Sequence, residues 1–66
     1  MNGSLQRRQL EILQLAADGH LYRQIGAMLS ISPETVKNQM ANVFERLGAH
    51  DKAHAVAIAM REGWVQ

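Results

Sequence analysis

Cysteine is absent from this chain, so no disulfide can staple it and no thiolate can serve as a nucleophile or a zinc ligand. That absence suits a reducing compartment. No apolar run approaches the roughly 20 residues that a bilayer span requires, and residues 1–5 carry no signal-peptide core. The expectation is a soluble, cytoplasmic protein that does not engage a membrane. An excess of one charge is missing too: seven Lys and Arg stand against six Asp and Glu, a formal charge of +1. The total therefore does not announce a nucleic-acid binder, and an electrostatic argument has to come from local placement. Internal repeats, low-complexity segments and a glycine-rich phosphate loop are likewise absent. With 66 residues there is room for one domain, which buries only about 60% of its unfolded surface and encloses no large catalytic cleft.

Catalytic and metal chemistry find little support. His20, His50 and His54 follow no zinc spacing, and the carboxylates Glu11, Asp18, Glu34, Glu45, Asp51 and Glu62 are spread over separate segments. No serine has a histidine and a carboxylate arranged around it. The expectation is a protein that is not an enzyme and that needs neither metal nor cofactor.

What the chain does contain is helical periodicity. Residues 1–4 are small and polar, a flexible start or an expression scar, and residues 5–66 read as the folded domain. From Leu5 to Asp18, Leu5, Ile12, Leu13, Ala16 and Ala17 fall on one side, with Leu10 and Leu15 at the margins. Gln9 lies in the middle of that buried side and is expected to bond to a nearby backbone group. Gly19 closes this helix. Tyr22 to Leu29 forms a short second helix with Ile25 and Leu29 inward and Gly26 small enough for close helix approach; Leu21 offers it no capping oxygen. Ser30-Ile31-Ser32 is the turn that follows.

The third helix has the clearest start. Ser32 can cap it, Pro33 suits its first position, and Glu34 complements its positive end. Val36, Met40, Val43 and Leu47 then form an apolar stripe over residues 33–47. Asp51 caps a fourth helix that runs to Glu62, with Ala55, Val56, Ala59, Met60 and Gly63 on one side and His54, Ala57, Ile58 and Arg61 on the other. Met28, Met40 and Met60 are taken as packing residues, Met28 with part of its surface exposed, and Trp64 with Val65 as folding back over the helix end. The fold class is all-α, four helices, with the second and third joined as a helix-turn-helix.

The polar face of the third helix admits two readings. Most such faces are only solvated. This one carries Thr35, Asn38, Gln39 and Asn42, whose donors and acceptors suit base edges, with Lys37 and Arg46 on the shoulders. Arg23, at the start of the preceding helix, is placed to meet a phosphate.

The residues Ile25-Gly26-Ala27-Met28-Leu29-Ser30-Ile31-Ser32-Pro33-Glu34-Thr35-Val36-Lys37-Asn38-Gln39-Met40, followed by Leu47-Gly48-Ala49-His50 and Ala53-His54-Ala55-Val56, resemble the LuxR-type helix-turn-helix domain, also called the GerE or FixJ/NarL effector domain. The resemblance runs from Leu5 to Val65. A sigma-factor promoter-recognition region shares the central motif but does not usually continue into a fourth helix. The resemblance implies a DNA-binding transcription regulator, its third helix in the major groove and its fourth forming a two-fold dimer. It implies Lys37 and Asn38 as leading groove contacts, Ala41 and Asn42 further along, Gln39 beside them, and Thr35, Arg23 and Tyr22 on the phosphate backbone. His54, Ala57, Ile58 and Arg61 make the expected dimer face. The expected partners are double-stranded DNA as an inverted repeat, a second copy of the chain, and RNA polymerase. The chain departs from the family pattern at Gln9 and Gln24, usually glutamate, at Leu21, usually a hydroxyl cap, at Tyr22, usually asparagine, and at Gln39, often histidine. Two other classes remain beside this reading: a helical protein-interaction module without specific DNA binding, and a small RNA-binding domain.

Overall fold

The computed structural model describes residues 5–66, and the expectation for residues 1–4 lies outside them. Four helices follow in order: α1 (Arg7–Ala17), α2 (Tyr22–Leu29), α3 (Pro33–Leu47) and α4 (Lys52–Arg61). No strand occurs among the described residues. α1 and α3 each pack against all three other helices, whereas the backbones of α2 and α4 do not approach each other closely. The shared core is Ile12 and Leu13 of α1, Ile25 of α2, Val36, Met40 and Val43 of α3, and Ala55 and Ala59 of α4. Burying each of the larger side chains contributes about 1.5–3 kcal/mol, so the apolar periodicity is what holds the bundle. Among the described residues, no helix is long and apolar enough to cross a membrane.

α1 starts two residues later than the periodicity predicts, because Gln6 takes the cap with extended backbone. Leu5 then stands just before the cap and is buried there, where an apolar residue commonly packs back on the first turn. The N–H of Gln6 donates to Gln9 Oε1 at 3.0 Å, the backbone bond expected of that buried amide. α2 uses the same device: the Leu21 N–H donates to Gln24 Oε1 at 2.7 Å. Leu21 itself caps nothing, as expected, and the third helical residue satisfies the Leu21 N–H instead of the first-turn N–H groups that a capping oxygen would take. An amide oxygen does this without the charge–dipole benefit of a carboxylate.

The turn between α2 and α3 is tight. Ser30 adopts a left-handed conformation with φ 60°, and the Ile31 N–H closes back on the Gly26 carbonyl at 2.9 Å. A Cβ built on Gly26 would lie 2.6 Å from the Ile31 carbonyl oxygen and 3.2 Å from Pro33 N, so glycine is what lets α2 approach this turn. α3 ends at Gly48, which takes the left-handed conformation expected of a helix stop.

Of the three methionines only Met40 is in the core: Met28 is 53% exposed, in line with the exposure expected of it, whereas Met60, read as a packing residue, is 55% exposed. Met60 falls outside because α4 buries a narrow strip of small residues, Ala55 and Ala59, with Val56 only partly covered. Val65 is buried, and the Gln66 N–H donates to Gln14 Oε1 at 3.0 Å, so the C-terminal segment does fold back, onto α1.

Candidate nucleic-acid interface

α3 projects its polar face from a well-fixed start. The Ser32 hydroxyl accepts the Thr35 N–H at 3.0 Å, and Pro33 occupies the first position, where no N–H is needed. Ser32 Oγ and Thr35 Oγ1 are 2.9 Å apart, and either can be the donor. One hydroxyl hydrogen is used between them and the other is left to point outward. Thr35 is thus exposed at the helix start with a donor available beside it.

Lys37, Asn38, Ala41 and Asn42 are all exposed on the same side of α3. Neither the Asn38 nor the Asn42 amide is engaged by another described residue, so both can meet base edges. Ala41 between them leaves the surface low. Glu34 and Glu45, both exposed, balance Lys37 and Arg46 in the charge count of α3. The face therefore offers hydrogen-bonding groups more than net charge.

Gln39 sits differently from its neighbours. It is half-buried, and its Oε1 accepts a hydrogen bond at 3.2 Å from Nε2 of Gln9, a residue 3% exposed in α1. Sequence spacing alone puts it on the rim of the polar face; its partner lies 30 residues away and was not foreseeable.

Arg23 is exposed in the first turn of α2, while Tyr22 is half-buried. Burial pushes the Tyr22 phenol above its ordinary range, which keeps it neutral and able to donate. Lys52 Nζ lies 5.5 Å from the centre of the Tyr22 ring, a cation–π contact joining the starts of α2 and α4. Sequence reasoning missed Lys52. It follows the Asp51 cap at the first position of α4, and only the fold brings its charge next to Tyr22.

On α4, Ala57 and Arg61 are exposed, and His54 and Ile58 are half-buried. Ile58 is thus less stranded than the helical wheel suggests. The His54 N–H donates to the Asp51 carboxylate at 2.9 Å, and His54 Nδ1 accepts the His50 N–H at 3.1 Å. The two imidazoles stack with centroids 5.1 Å apart. His54 is consequently held by the start of its own helix.

A three-residue turn between α2 and α3, a well-capped α3 with an exposed amide-rich face, and α4 packed against it define a helix-turn-helix domain of the DNA-binding regulator class. The family model for bacterial regulatory proteins of the luxR family matches residues 3–59, and the chain belongs to that family. It is 42% identical over 62 residues to the transcriptional regulatory protein DegU of Brevibacillus brevis, which covers 94% of this chain and 26% of that protein. It is 41% identical over 58 residues to the probable transcriptional regulatory protein NarL of Mycobacterium tuberculosis, covering 88% of this chain and 27% of the relative. Against the transcriptional regulatory protein LiaR of Bacillus subtilis it is 40% identical over 58 residues, 88% of this chain and 28% of that one. The chain thus spans about a quarter of the length of these relatives.

Proposed function

We propose that this domain binds double-stranded DNA sequence-specifically, with α3 in the major groove, and so directs a transcription regulator to its operator in the cytoplasm. The observation that carries the proposal is the row of unengaged groups at Lys37, Asn38 and Asn42 on a helix whose start is pinned by Ser32 and whose back buries Val36, Met40 and Val43. Asn38 and Lys37 read base edges, with Asn42 beyond them, and Ala41 lets the groove floor come close. Thr35, Arg23, Tyr22 and Lys52 hold the phosphate backbone on either side, since the first helix of such a motif crosses that backbone. The near-neutral chain implies modest affinity and a shallow salt dependence for one copy.

Two copies pair through His54, Ala57, Ile58 and Arg61 of α4. A two-fold pair sets the recognition helices about 34 Å apart, one turn of DNA, and calls for an inverted repeat. Ile58→Asp should convert a concentration-dependent dimer to monomer in sedimentation, with weaker binding to a two-half-site duplex. A wild type that binds DNA as a single copy would remove the dimer from the proposal.

Selection of bound sequences from random duplex DNA tests the main reading. Recovery of a defined half-sequence supports it, and no enrichment at low salt favours a protein-interaction module. Asn38→Ala should then cost about 1–3 kcal/mol of discrimination between selected and scrambled duplex. Unchanged relative affinities would exclude base reading by Asn38.

A further inference from the structure

We infer that buried Gln9 is a positioning residue that fixes which end of the Gln39 amide faces the DNA, making Gln39 a hydrogen-bond donor to a backbone phosphate oxygen. The inference rests on the reading of α3 as the groove helix.

The direction of the relay follows from one group whose chemistry is not in doubt. A backbone N–H can only donate, so the atom of Gln9 that meets the Gln6 N–H at 3.0 Å must be its oxygen. The Gln9 NH2 group therefore points the other way, towards Gln39 at 3.2 Å. Two NH2 groups facing each other would leave donors unpaired, so Gln39 must turn its oxygen inward. At 3% exposure Gln9 has no water to take over either bond, and an unmet buried donor there costs about 1–3 kcal/mol. No buried side-chain N or O atom among the described residues lacks a partner.

The consequence lies at the surface. Gln39 is half-buried and its Nε2 has no partner among the described residues. It follows Thr35 by four residues and precedes Asn42 by three, so the three side chains stand in neighbouring rows on the helix. Bidentate recognition of adenine requires a donor and an acceptor from one amide, and here the acceptor is turned inward. What remains is an NH2 group on the rim beside Thr35, suited to a phosphate oxygen. Gln39 then contributes affinity without sequence preference, in contrast to Asn38.

Gln9→Glu tests the relay. The carboxylate still accepts the Gln6 N–H and sits in the first turn of α1, where negative charge is favourable, so the fold is kept. It cannot donate to Gln39, whose amide must reverse and present its oxygen outward. In the free protein, side-chain amide NMR should show a protected Gln9 NH2 and a freely exchanging Gln39 NH2. In Gln9→Glu the Gln39 NH2 should become the protected one. Binding to a random-sequence duplex at low salt should weaken roughly tenfold in Gln9→Glu with the melting temperature held or raised, because a lost bond to a charged group costs at least that factor. Gln39→Ala should lose a similar factor, and adding Gln9→Glu to it should cost nothing more. A protected Gln39 NH2 in the wild type overturns the relay whatever the DNA result. A further loss from Gln9→Glu in the Gln39→Ala background assigns the effect to added negative charge and overturns the positioning role. If Gln9→Glu binds as the wild type does, the phosphate contact is wrong while α3 remains the groove helix. A wild type that fails to bind any duplex removes both.

Discussion

Gly26→Val should cost the domain about 3 kcal/mol or more and lower its melting temperature by roughly 12–24 °C. A single Cβ at this position already meets the Ile31 carbonyl oxygen at 2.6 Å, Pro33 N at 3.2 Å and the Ser32 carbonyl carbon at 3.3 Å. All three are backbone atoms of the turn, which cannot swing aside as a side-chain end would. Valine adds two methyl groups to that clash, and its branched Cβ leaves one favoured rotamer in a helix, so it has little freedom to turn away. Alanine is milder only in lacking those methyl groups: its Cβ still meets the Ile31 carbonyl oxygen at 2.6 Å, so the backbone of the turn must shift, against a gain of about 1 kcal/mol of helix propensity over glycine. The same substitution pushes α2 from the start of α3, so the protein still folded at low temperature should bind DNA more weakly. A Gly26→Val protein that melts within a few degrees of the wild type would show that the turn yields freely.

Met40→Ala should be comparably damaging, at about 3 kcal/mol within the 2–5 kcal/mol usual for such truncations. Met40 is fully buried and belongs to α3, which packs against all three other helices, so the cavity would open at the centre of the bundle. A domain of 66 residues has on the order of 3–10 kcal/mol of stability, so this one change removes a large share of it. Met40→Leu keeps most of the volume and should cost less than about 1.5 kcal/mol. Urea unfolding of the two variants checks the pair. Equal midpoints would mean that packing at Met40 does not support α3.

The course of the chain was legible because its signals are local. Ser32-Pro33-Glu34 at the start of α3, Asp51 at the start of α4, and Gly48 between them act through neighbours within one turn. Of the apolar stripe Val36, Met40, Val43 and Leu47, the first three are buried as their spacing predicts and Leu47 is half-buried at the helix end. The family could also be read from contiguous residues. The failures are of another kind. The start of α2 looked weakly defined because the cap residue has no acceptor, whereas Gln24 fixes it by accepting the Leu21 N–H from three residues inside. Gln39 looked like a free groove group because its partner Gln9 belongs to a different helix. Lys52 went unnoticed because Tyr22 lies 30 residues earlier. Met60 was assigned inward by a wheel that cannot tell how narrow a strip of α4 the small residues Ala55 and Ala59 bury. Each miss concerns a side chain whose surroundings are set by tertiary neighbours.

The hydroxyls of Ser32 and Thr35 carry one last implication. They hold two hydrogens between them, and only one is spent on the 2.9 Å contact. Turning both O–H bonds together moves the spare donor from one oxygen to the other without any shift of heavy atoms. If α3 is the groove helix proposed above, its entrance can follow a phosphate that sits slightly higher or lower along the duplex, adjusting by proton position where a fixed ammonium would have to drag its chain.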